Sequence, residues 1–577
     1  MERVSTRGSV VRVSGPLVEV EGVGDLAMAD VVALGPDRMS AETVEREGDR
    51  AVLQAYEYTG GLRSGDLAES TGAQLSVPLG PGLLGQAFDG LLRPLTGAGL
   101  WLGAARTAEA PGQARSWRFT ASARVGDHVA AGEVIGTVAD AGSVEHRVLV
   151  PAGSDGTLTW VAGAEPVAAD AVIARVGDRD VGLTVPWPIR RPRPFRQRRS
   201  EAVPLRTGQR VLDLLFPVAQ GATAAVPGGF GAGKTLLLQQ IAKWSDADVI
   251  VYVGCGERGN EMADVLGTLT ELSDERTGGR LIDRTVIIAN TSNMPMMARE
   301  AGIHTGVTVA EYYRDMGYDV VVIADSTSRW AEALREFANR NGQLPAEEGY
   351  PASLASELAA FYERAGRVDT IGGTVASVTV IGAVSPPGGD MTEPVTTATQ
   401  RFARTLWQLD RDLAYARHYP AVSWTASFAR DDDAIGRWYA ENGDAAWAAR
   451  RARAITMLAE SDRLASLAEL LGQASLPGHE RMILLGGRLV RDGVLMQSAL
   501  SPNDVYCSAE KAAAILDLVL DVADRCALLA SEGVPAAAIE RIDFGDVLRA
   551  RDETGPDDAA GVEARREPML RRLEALR

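Results

Sequence analysis

Apolar and polar residues alternate along the first part of the chain in a pattern typical of short β-strands. Apolar residues recur over Gly8–Val13 and Leu17–Val20, and Gly15-Pro16 supplies a turn between the two runs. Similar runs and glycines continue onward, which predicts an N-terminal β-barrel over residues 1–75. The Gly- and Pro-rich residues 76–110 are consistent with a linker.

Residues 111–185 predict a separate β-rich module. Turns and short apolar runs alternate there, as in Gly126–Val138, and the segment is similar to the hairpins of biotinyl/lipoyl-type domains. Such carriers need a lysine that can be modified, and no lysine precedes Lys234. A structural module is therefore the better interpretation.

The pattern changes to alternating strands and helices over residues 186–435. Segments such as Leu236–Trp244 and Ser326–Arg340 are typical of helices. Apolar, β-branched runs predict buried strands at Thr223–Val226, Val249–Val253, Thr285–Ala289, Val320–Ala324 and Val375–Ala383. Buried strands separated by helices indicate an α/β domain with a mainly parallel sheet.

The strand signal fades beyond residue 435. One helical face there is apolar, formed by Ile515, Val519, Val522, Cys526 and Leu529. Residues 436–577 are predicted to form a C-terminal helical domain.

Charge and composition narrow the possible functions. The formal charge of −18 argues against nucleic acid as a partner, because such a surface must neutralise phosphates with clustered cations. Neither a signal-peptide core nor a run of roughly 20 apolar residues is present, so we expect a cytoplasmic protein. Three cysteines and five scattered histidines give no disulfide framework and no zinc site.

A glycine-rich motif carries the first chemistry. Residues 228–235 fit the phosphate-binding pattern G-x-x-x-x-G-K-[ST], between a predicted strand and a predicted helix. Backbone amides of such a loop point at one anion, Lys234 reaches the β- and γ-phosphates, and the Thr235 hydroxyl ligates Mg²⁺. Lys234 is one of only three lysines in an arginine-rich chain. The predicted nucleotide contacts here are Gly228, Gly229, Phe230, Gly231, Ala232, Gly233, Lys234, Thr235 and Leu236. The plainer alternative is a glycine-rich turn that merely precedes a helix.

Acidic residues follow two of the predicted strands. Asp325 ends a hydrophobic run, where a carboxylate can hold the hydration shell of Mg²⁺, although many strands end in Asp as a turn or cap. Glu257 follows another strand and is the candidate that polarises water for hydrolysis, with Glu261 as a rival. Arg258 is a candidate for stabilising charge on the transferred phosphoryl group. Alternatively, Glu257 caps the next helix and pairs with Arg258.

Together these motifs resemble the catalytic A subunit of vacuolar- and archaeal-type rotary ATPases. The residues that carry the resemblance span most of the chain: Leu79–Gly85, Phe88–Gly90, Pro186–Arg190, Thr207–Asp213, Gly254–Met262, Ala324–Glu332, Glu348–Pro351, Phe361–Gly366 and Ser385–Asp390. The 111–185 module is similar to the insertion that separates this subunit from its relatives.

The resemblance implies a RecA-like P-loop core between a β-barrel and a helical domain. It further implies ATP and ADP as substrate and product, Mg²⁺ as cofactor, and an alternating hexamer with a non-catalytic B subunit that supplies an arginine finger. Central and peripheral stalks would connect the ring to a membrane sector that moves H⁺ or Na⁺, at the cytoplasmic face of a membrane. By the same resemblance, Glu257 activates water, Lys234 binds phosphate, Thr235 binds Mg²⁺ and Arg258 contacts the γ-phosphate.

The chain departs from the family pattern at three positions. Gly229 stands where Pro or Ala is usual, and Ala232 where Ser or Cys is usual. Near the expected adenine pocket, Gln497 and Leu500 match a segment that commonly carries Phe at the position of Leu500. Loss of a stacking ring is expected to weaken nucleotide binding by about 1 kcal/mol.

Three other functions fit less well. A secretion or flagellar export ATPase shares the phosphate loop but normally lacks the insertion and the Pro-Gly-Gly-Asp segment. A regulatory subunit that binds ATP without hydrolysing it would lack either Lys234 or Glu257. An RNA-loading helicase ring does not suit the acidic composition.

Overall fold

The computed structural model describes residues 6–96, 115–274 and 276–577. The chain separates by internal contacts into two compact units. The first unit comprises Met1–Arg199, Ala247–Val384 and Thr392–Phe402, and the second comprises Ser200–Asp246, Ser385–Met391 and Ala403–Arg577. Residues of the predicted 186–435 domain are therefore found in both units, and the domain boundaries proposed from the sequence remain predictions.

The first unit begins with the predicted β-barrel. Six strands close on themselves, so that the first strand pairs with both the second and the sixth. The strands are Arg7–Ser14, Leu17–Glu21, Asp30–Leu34, Met39–Glu47, Arg50–Ala55 and Leu67–Gln74. Alternate residues such as Val18, Val32 and Leu53 are buried in the barrel interior, which is the arrangement that period-two hydrophobicity predicts.

The stretch interpreted as a linker contains packed structure in its described part. Strand Ser76–Leu79 pairs antiparallel with Val185–Pro188, and a short strand follows at Ala87–Phe88. Leu83 and Phe88 are buried in the main core of this unit. Residues 97–110 of the predicted linker lie outside the described residues.

The β-rich module has its own hydrophobic core, which includes Trp117, Phe119 and Ile173. Its strands form one three-stranded and one four-stranded sheet. They are Phe119–Ala121, His128–Val129, Val134–Val138, His146–Leu149, Gly156–Val161, Val172–Val176 and Arg179–Gly182. The β-rich prediction for this module is confirmed.

The remainder of the first unit is a parallel sheet with helices. The sheet strands, in spatial order, are Val375–Val384, Val320–Asp325, Val249–Glu257, Thr285–Thr291 and Ala87–Phe88. Strands Gln197–Arg198 and Gly366–Asp369 add an antiparallel edge. The helices are Gly259–Glu271, Met296–Asp315, Thr327–Arg340, Leu354–Tyr362 and Pro394–Phe402. Each strand predicted here is present and is extended by one to four residues at its carboxyl end.

The second unit contains a smaller sheet and most of the helices. Strand Thr223–Pro227 pairs parallel with Thr405–Leu406, which pairs antiparallel with Phe428–Ala429, and Pro204–Leu205 pairs with Val218–Ala219. The helices are Lys234–Trp244, Arg411–Tyr415, Asp432–Glu441, Trp447–Leu471, Gly478–Val490, Ala509–Ser531, Ala536–Ile539, Gly545–Leu548, Ala550–Glu553, Ala559–Glu563 and Arg566–Glu574.

The helical prediction for the C-terminal part is confirmed in detail by helix Ala509–Ser531. The five apolar residues that define its predicted face are all completely buried: Ile515, Val519, Val522, Cys526 and Leu529. Across the described ranges, no helix combines the length and the hydropathy needed to cross a bilayer. The three cysteines are free and buried.

Candidate nucleotide site

The glycine loop lies in the second unit between a buried strand and a helix. Strand Thr223–Pro227 is fully buried and leads directly into Gly228, while helix Lys234–Trp244 begins at the motif lysine. Gly231 and Gly233 have φ of +80° and +84°, a conformation that side chains with a Cβ disfavour. The glycines therefore allow the sharp turn that aims the loop amides and the helix N-terminus at one point.

Lys234 folds back across this loop. Its Nζ donates to the carbonyl oxygen of Gly228 at 3.1 Å and to the Ser385 hydroxyl. Ser385 belongs to the Ser385–Asp390 segment, in which Gly388 and Gly389 have positive φ. The ammonium group is thus held at the loop by oxygens, as a phosphate-binding lysine requires.

Phe230, Thr235 and Leu236 lie open to solvent, whereas Ala232 does not. Phe230 is 94% exposed, and Thr235 and Leu236 are exposed in the first turn of the helix. Ala232 is buried. The hydroxyl of Thr235 is therefore accessible to a ligand at the helix N-terminus.

Two carboxylates, one half-buried and one buried, lie at the sheet edge of the first unit. Strands Val249–Glu257 and Val320–Asp325 are parallel neighbours, and Gly254 is in register with Asp325. The two strands therefore bring Glu257 and Asp325 to the same edge, as parallel strands do at ligand sites. Asp325 is buried and accepts a hydrogen bond from the hydroxyl of Tyr252 at 3.0 Å.

The surroundings of Glu257 raise the pKa of its carboxyl group. Burial, the nearby charge of Asp325 and the hydrogen bond that the protonated carboxyl group donates to Glu261 raise the pKa of Glu257 from its ordinary value to about 7. The Ser326 hydroxyl, which donates to Glu257 Oε1 at 3.1 Å, and the Arg329 guanidinium oppose this increase. A group with a pKa close to neutrality is suited to accept and return a proton.

Arg258 is not engaged by Glu257. Its backbone is extended, it precedes helix Gly259–Glu271, and its side chain is exposed. The carboxyl group of Glu257 instead contacts Ser326 and Glu261. Among the described residues, Glu257 and Arg258 form no ion pair, so the alternative of a helix cap with a paired arginine does not describe this site.

A cavity opens beside the glycine loop in the second unit. It encloses about 340 Å³ including its open mouth, and its walls include Gly233, Leu236, Gln240, Tyr419, Pro420, Gln497 and Ala499. Gln497 is only 4% exposed, and its amide group is hydrogen-bonded to backbone atoms of Arg210 and Gly208. Leu500 is 96% exposed and is not part of the wall, where Ala499 stands instead.

The structure adds residues that sequence reasoning did not select. Ser385 contacts Lys234, Ser326 contacts Glu257, and Tyr252 contacts Asp325. Ser385 and Ser326 both lie in segments already noted for their family resemblance, which was the available signal. Tyr252 and the cavity residue Tyr419 gave no signal, because their positions depend on strand pairing and on the path of an irregular segment.

Four family models match successive parts of the chain. The nucleotide-binding domain of the ATP synthase alpha/beta family matches residues 208–429, and its β-barrel domain matches residues 10–72. The alpha/beta subunit barrel-sandwich domain matches residues 109–190. The C-terminal domain of V and A type ATP synthase matches residues 436–530.

Whole-length relatives are similar to the chain as well. A V-type ATP synthase alpha chain of Nitrosococcus oceani is 50% identical over 92% of this chain and 91% of its own length. The V-type ATP synthase alpha chain of Anaeromyxobacter dehalogenans is 47% identical over 98% of this chain and all of its own length. The A subunit of the A-type ATP synthase of Thermococcus sibiricus is 45% identical over 93% of both.

A solved structure shares the fold at lower identity. The assembled ATPase EscN from the type III secretion system of enteropathogenic E. coli gives a TM-score of 0.63 at 20% identity, covering 89% of this chain and all of EscN. At this identity the likeness concerns the fold alone.

Proposed function

Because this chain belongs to the ATP synthase alpha/beta family, among the V-type alpha chains and their A-type counterparts, we propose that it binds Mg-ATP and catalyses its hydrolysis or synthesis at the residues described above. Family membership makes the chain an ATP hydrolase/synthase. The assignment of individual residues to steps of that reaction is our own.

One observation carries the catalytic assignment: the Glu257 carboxyl group lies at the edge of a parallel sheet, beside Asp325 and bonded to Ser326, in surroundings that raise its pKa. A chain that only bound nucleotide would need the glycine loop but no such group. In hydrolysis, Glu257 accepts a proton from the attacking water, and in synthesis it returns that proton. The hydrogen bond from Ser326 orients Oε1 for this exchange.

The second unit supplies phosphate binding. Backbone amides of residues 228–235 and the N-terminus of helix Lys234–Trp244 bind the phosphate oxygens. Lys234 adds a compact positive charge that already lies across the loop. From the first unit, Arg258, which is exposed and does not pair with Glu257, stabilises charge on the transferred phosphoryl group.

The residues present suit magnesium. Mg²⁺ prefers oxygen ligands and keeps several waters, so one or two protein oxygens are sufficient. The exposed hydroxyl of Thr235 and the carboxylate of Asp325, aligned by Tyr252, are donors of that type. When bound, the ion neutralises charge on the β- and γ-phosphate oxygens.

We further propose the assembly that such a chain serves. It would alternate with a non-catalytic B subunit in a hexamer, and the B subunit would contribute the arginine finger. Central and peripheral stalks would couple the ring to a membrane sector that moves H⁺ or Na⁺. The chain would then be peripheral to the cytoplasmic face of the membrane through the complex.

The secretion-type alternative is less well supported. The likeness to EscN concerns the fold, whereas the barrel-sandwich and the V and A type C-terminal domains match by sequence. An export ATPase would assemble with copies of itself, so the composition of the ring separates the two functions.

Co-expression with a candidate B subunit provides the test. The purified complex should have the mass of three copies of each chain and should hydrolyse ATP only when Mg²⁺ is added. A ring of this chain alone that hydrolyses ATP at the same rate would favour the export-type function instead.

A further inference from the structure

The cavity beside the glycine loop is partly walled by backbone without regular structure. After helix Gly478–Val490 and a short π-helical turn at Arg491–Leu495, the chain runs irregularly through residues 496–508. Gln497 and Ala499 of this segment line the cavity. Since the segment forms no helix or sheet, its polar groups are satisfied by irregular contacts, some to backbone groups such as the Tyr419 carbonyl oxygen and others to side chains.

Arg210 supplies several of the side-chain contacts. Its guanidinium donates from Nε to the carbonyl oxygen of Val494 at 2.8 Å and from Nη2 to that of Met496 at 2.7 Å. Nη1 donates to Asp504 Oδ1 at 2.5 Å, and neither side chain of this ion pair is exposed to solvent. One planar group therefore joins the end of the π-helical turn at Val494 to two points of the segment, Met496 and Asp504.

The same residue fixes Gln497 directly. The backbone amide of Arg210 donates to Gln497 Oε1 at 2.8 Å, and Gln497 Nε2 donates to the carbonyl oxygen of Gly208 at 2.8 Å. On the other side, Asp504 Oδ2 accepts from the amide of Ser498 at 2.7 Å. The cavity wall is thus held immediately before, at and after Gln497.

A lysine secures the far end of the segment. Lys511 is fully buried, and its Nζ donates to the carbonyl oxygens of Asn503, Arg551 and Thr554 at 2.8, 2.8 and 3.0 Å. Three carbonyl groups around one atom suit a compact ammonium and not a planar fork. This accounts for a lysine at position 511 in a chain whose cations are nearly all arginine.

We propose that Arg210 is a positioning residue for the base of the nucleotide. Together with Asp504, it holds Gln497 and Ala499 in the cavity wall against which the adenine ring packs. The inference rests on the proposed function, since it takes the cavity as the adenine site. Arg210 itself contacts neither the glycine loop nor the phosphate-binding lysine, so its effect is confined to the base end of the nucleotide.

The test compares a ligand that has a base with one that lacks it. Arg210→Lys and Asp504→Asn are made in the complex with the B subunit, and inhibition constants are measured for Mg-ADP and Mg-pyrophosphate. We expect the KM for ATP and the inhibition constant of ADP to rise about 10-fold, because a charge-assisted contact to the wall is lost. The constant for pyrophosphate and kcat at saturating ATP should change less than about 2-fold.

Arg450→Lys is the matched control. Arg450 is also a buried arginine of the second unit and is paired with two aspartates, Asp444 at 2.9 Å and Asp517 at 2.8 Å, but it does not line the cavity. It should lower thermal stability without changing the ratio of the ADP and pyrophosphate constants. If Arg210→Lys does not assemble, Asp504→Asn and Lys511→Arg test the same wall.

The outcomes separate the positioning role from the proposed function. Equal weakening of ADP and pyrophosphate, or an unchanged KM for ATP in assembled variants, would overturn the positioning role alone. Failure of the wild-type complex to bind ADP would instead remove the proposed function.

Discussion

The glycine loop, residues 228–235, and the carboxylate edge, where Glu257 and Asp325 end two parallel strands, are built in two different ways. In the second unit, the binding groups of the loop are backbone amides with one half-buried ammonium. In the first unit, the acting groups are the side chains of half-buried Glu257 and buried Asp325, and burial is the largest cause of the raised pKa of Glu257. Phosphate binding by the loop depends on local backbone conformation, while the protonation of Glu257 depends on the residues packed around it.

This difference predicts different responses to mutation. A change of Glu257 should affect turnover and leave nucleotide binding intact. Changes in the glycine loop should weaken binding and turnover together, because phosphate contacts are made in both the ground state and the transition state.

The largest effect is expected for Glu257→Gln. The amide keeps the size of the carboxyl group but cannot accept a proton from water, so kcat should fall about 10³-fold while Mg-ATP still binds. Equilibrium binding and steady-state hydrolysis by the complex measure the two quantities. Turnover within about 10-fold of wild type would remove Glu257 from its proposed role.

Lys234→Ala should come next. Loss of the ammonium is expected to lower kcat/KM about 10²-fold and to weaken ATP binding as well. Lys243→Ala, at the other end of the same helix, is the control, since Lys243 lies over the Trp244 ring and not at the loop. Equal losses in both variants would show that the effect is helix stability and not phosphate binding.

Substitution of the loop glycines by alanine should have a smaller effect on ATP binding, and one that differs between positions. Gly233→Ala forces a residue with a Cβ to a φ of +84°, which should cost about 1–2 kcal/mol and weaken ATP binding roughly 10-fold. At Gly229 a Cβ would lie 3.4 Å from Arg411, an ordinary contact, so Gly229→Ala should be nearly neutral. ATP titration measures the affinity of both variants. Equal loss of affinity in Gly233→Ala and Gly229→Ala would contradict this explanation.

The sequence was sufficient where the determining residues are neighbours in the chain. The strand, glycine loop and helix around Lys234 are contiguous, and their pattern predicted all three elements. Residue spacing alone did not choose between Glu257 and Glu261, and only the family resemblance favoured Glu257, because the contact that orients Glu257 comes from Ser326, 69 residues away. Leu500 was selected by resemblance alone, and its exposure follows from the path of the irregular segment that Arg210 and Asp504 hold.

The pH dependence of kcat/KM in excess Mg²⁺, for wild type and Glu261→Gln, tests the assignment of Glu257 most directly. A base is active only when deprotonated, so wild-type kcat/KM should rise with pH through an apparent pKa near 7. The Glu261 carboxyl group raises the pKa of Glu257, so its removal should shift the rise in kcat/KM to lower pH. Turnover at about pH 8 should stay within about 3-fold of wild type. Loss of turnover at every pH in Glu261→Gln, or a wild-type rate that does not change across neutrality, would contradict the account.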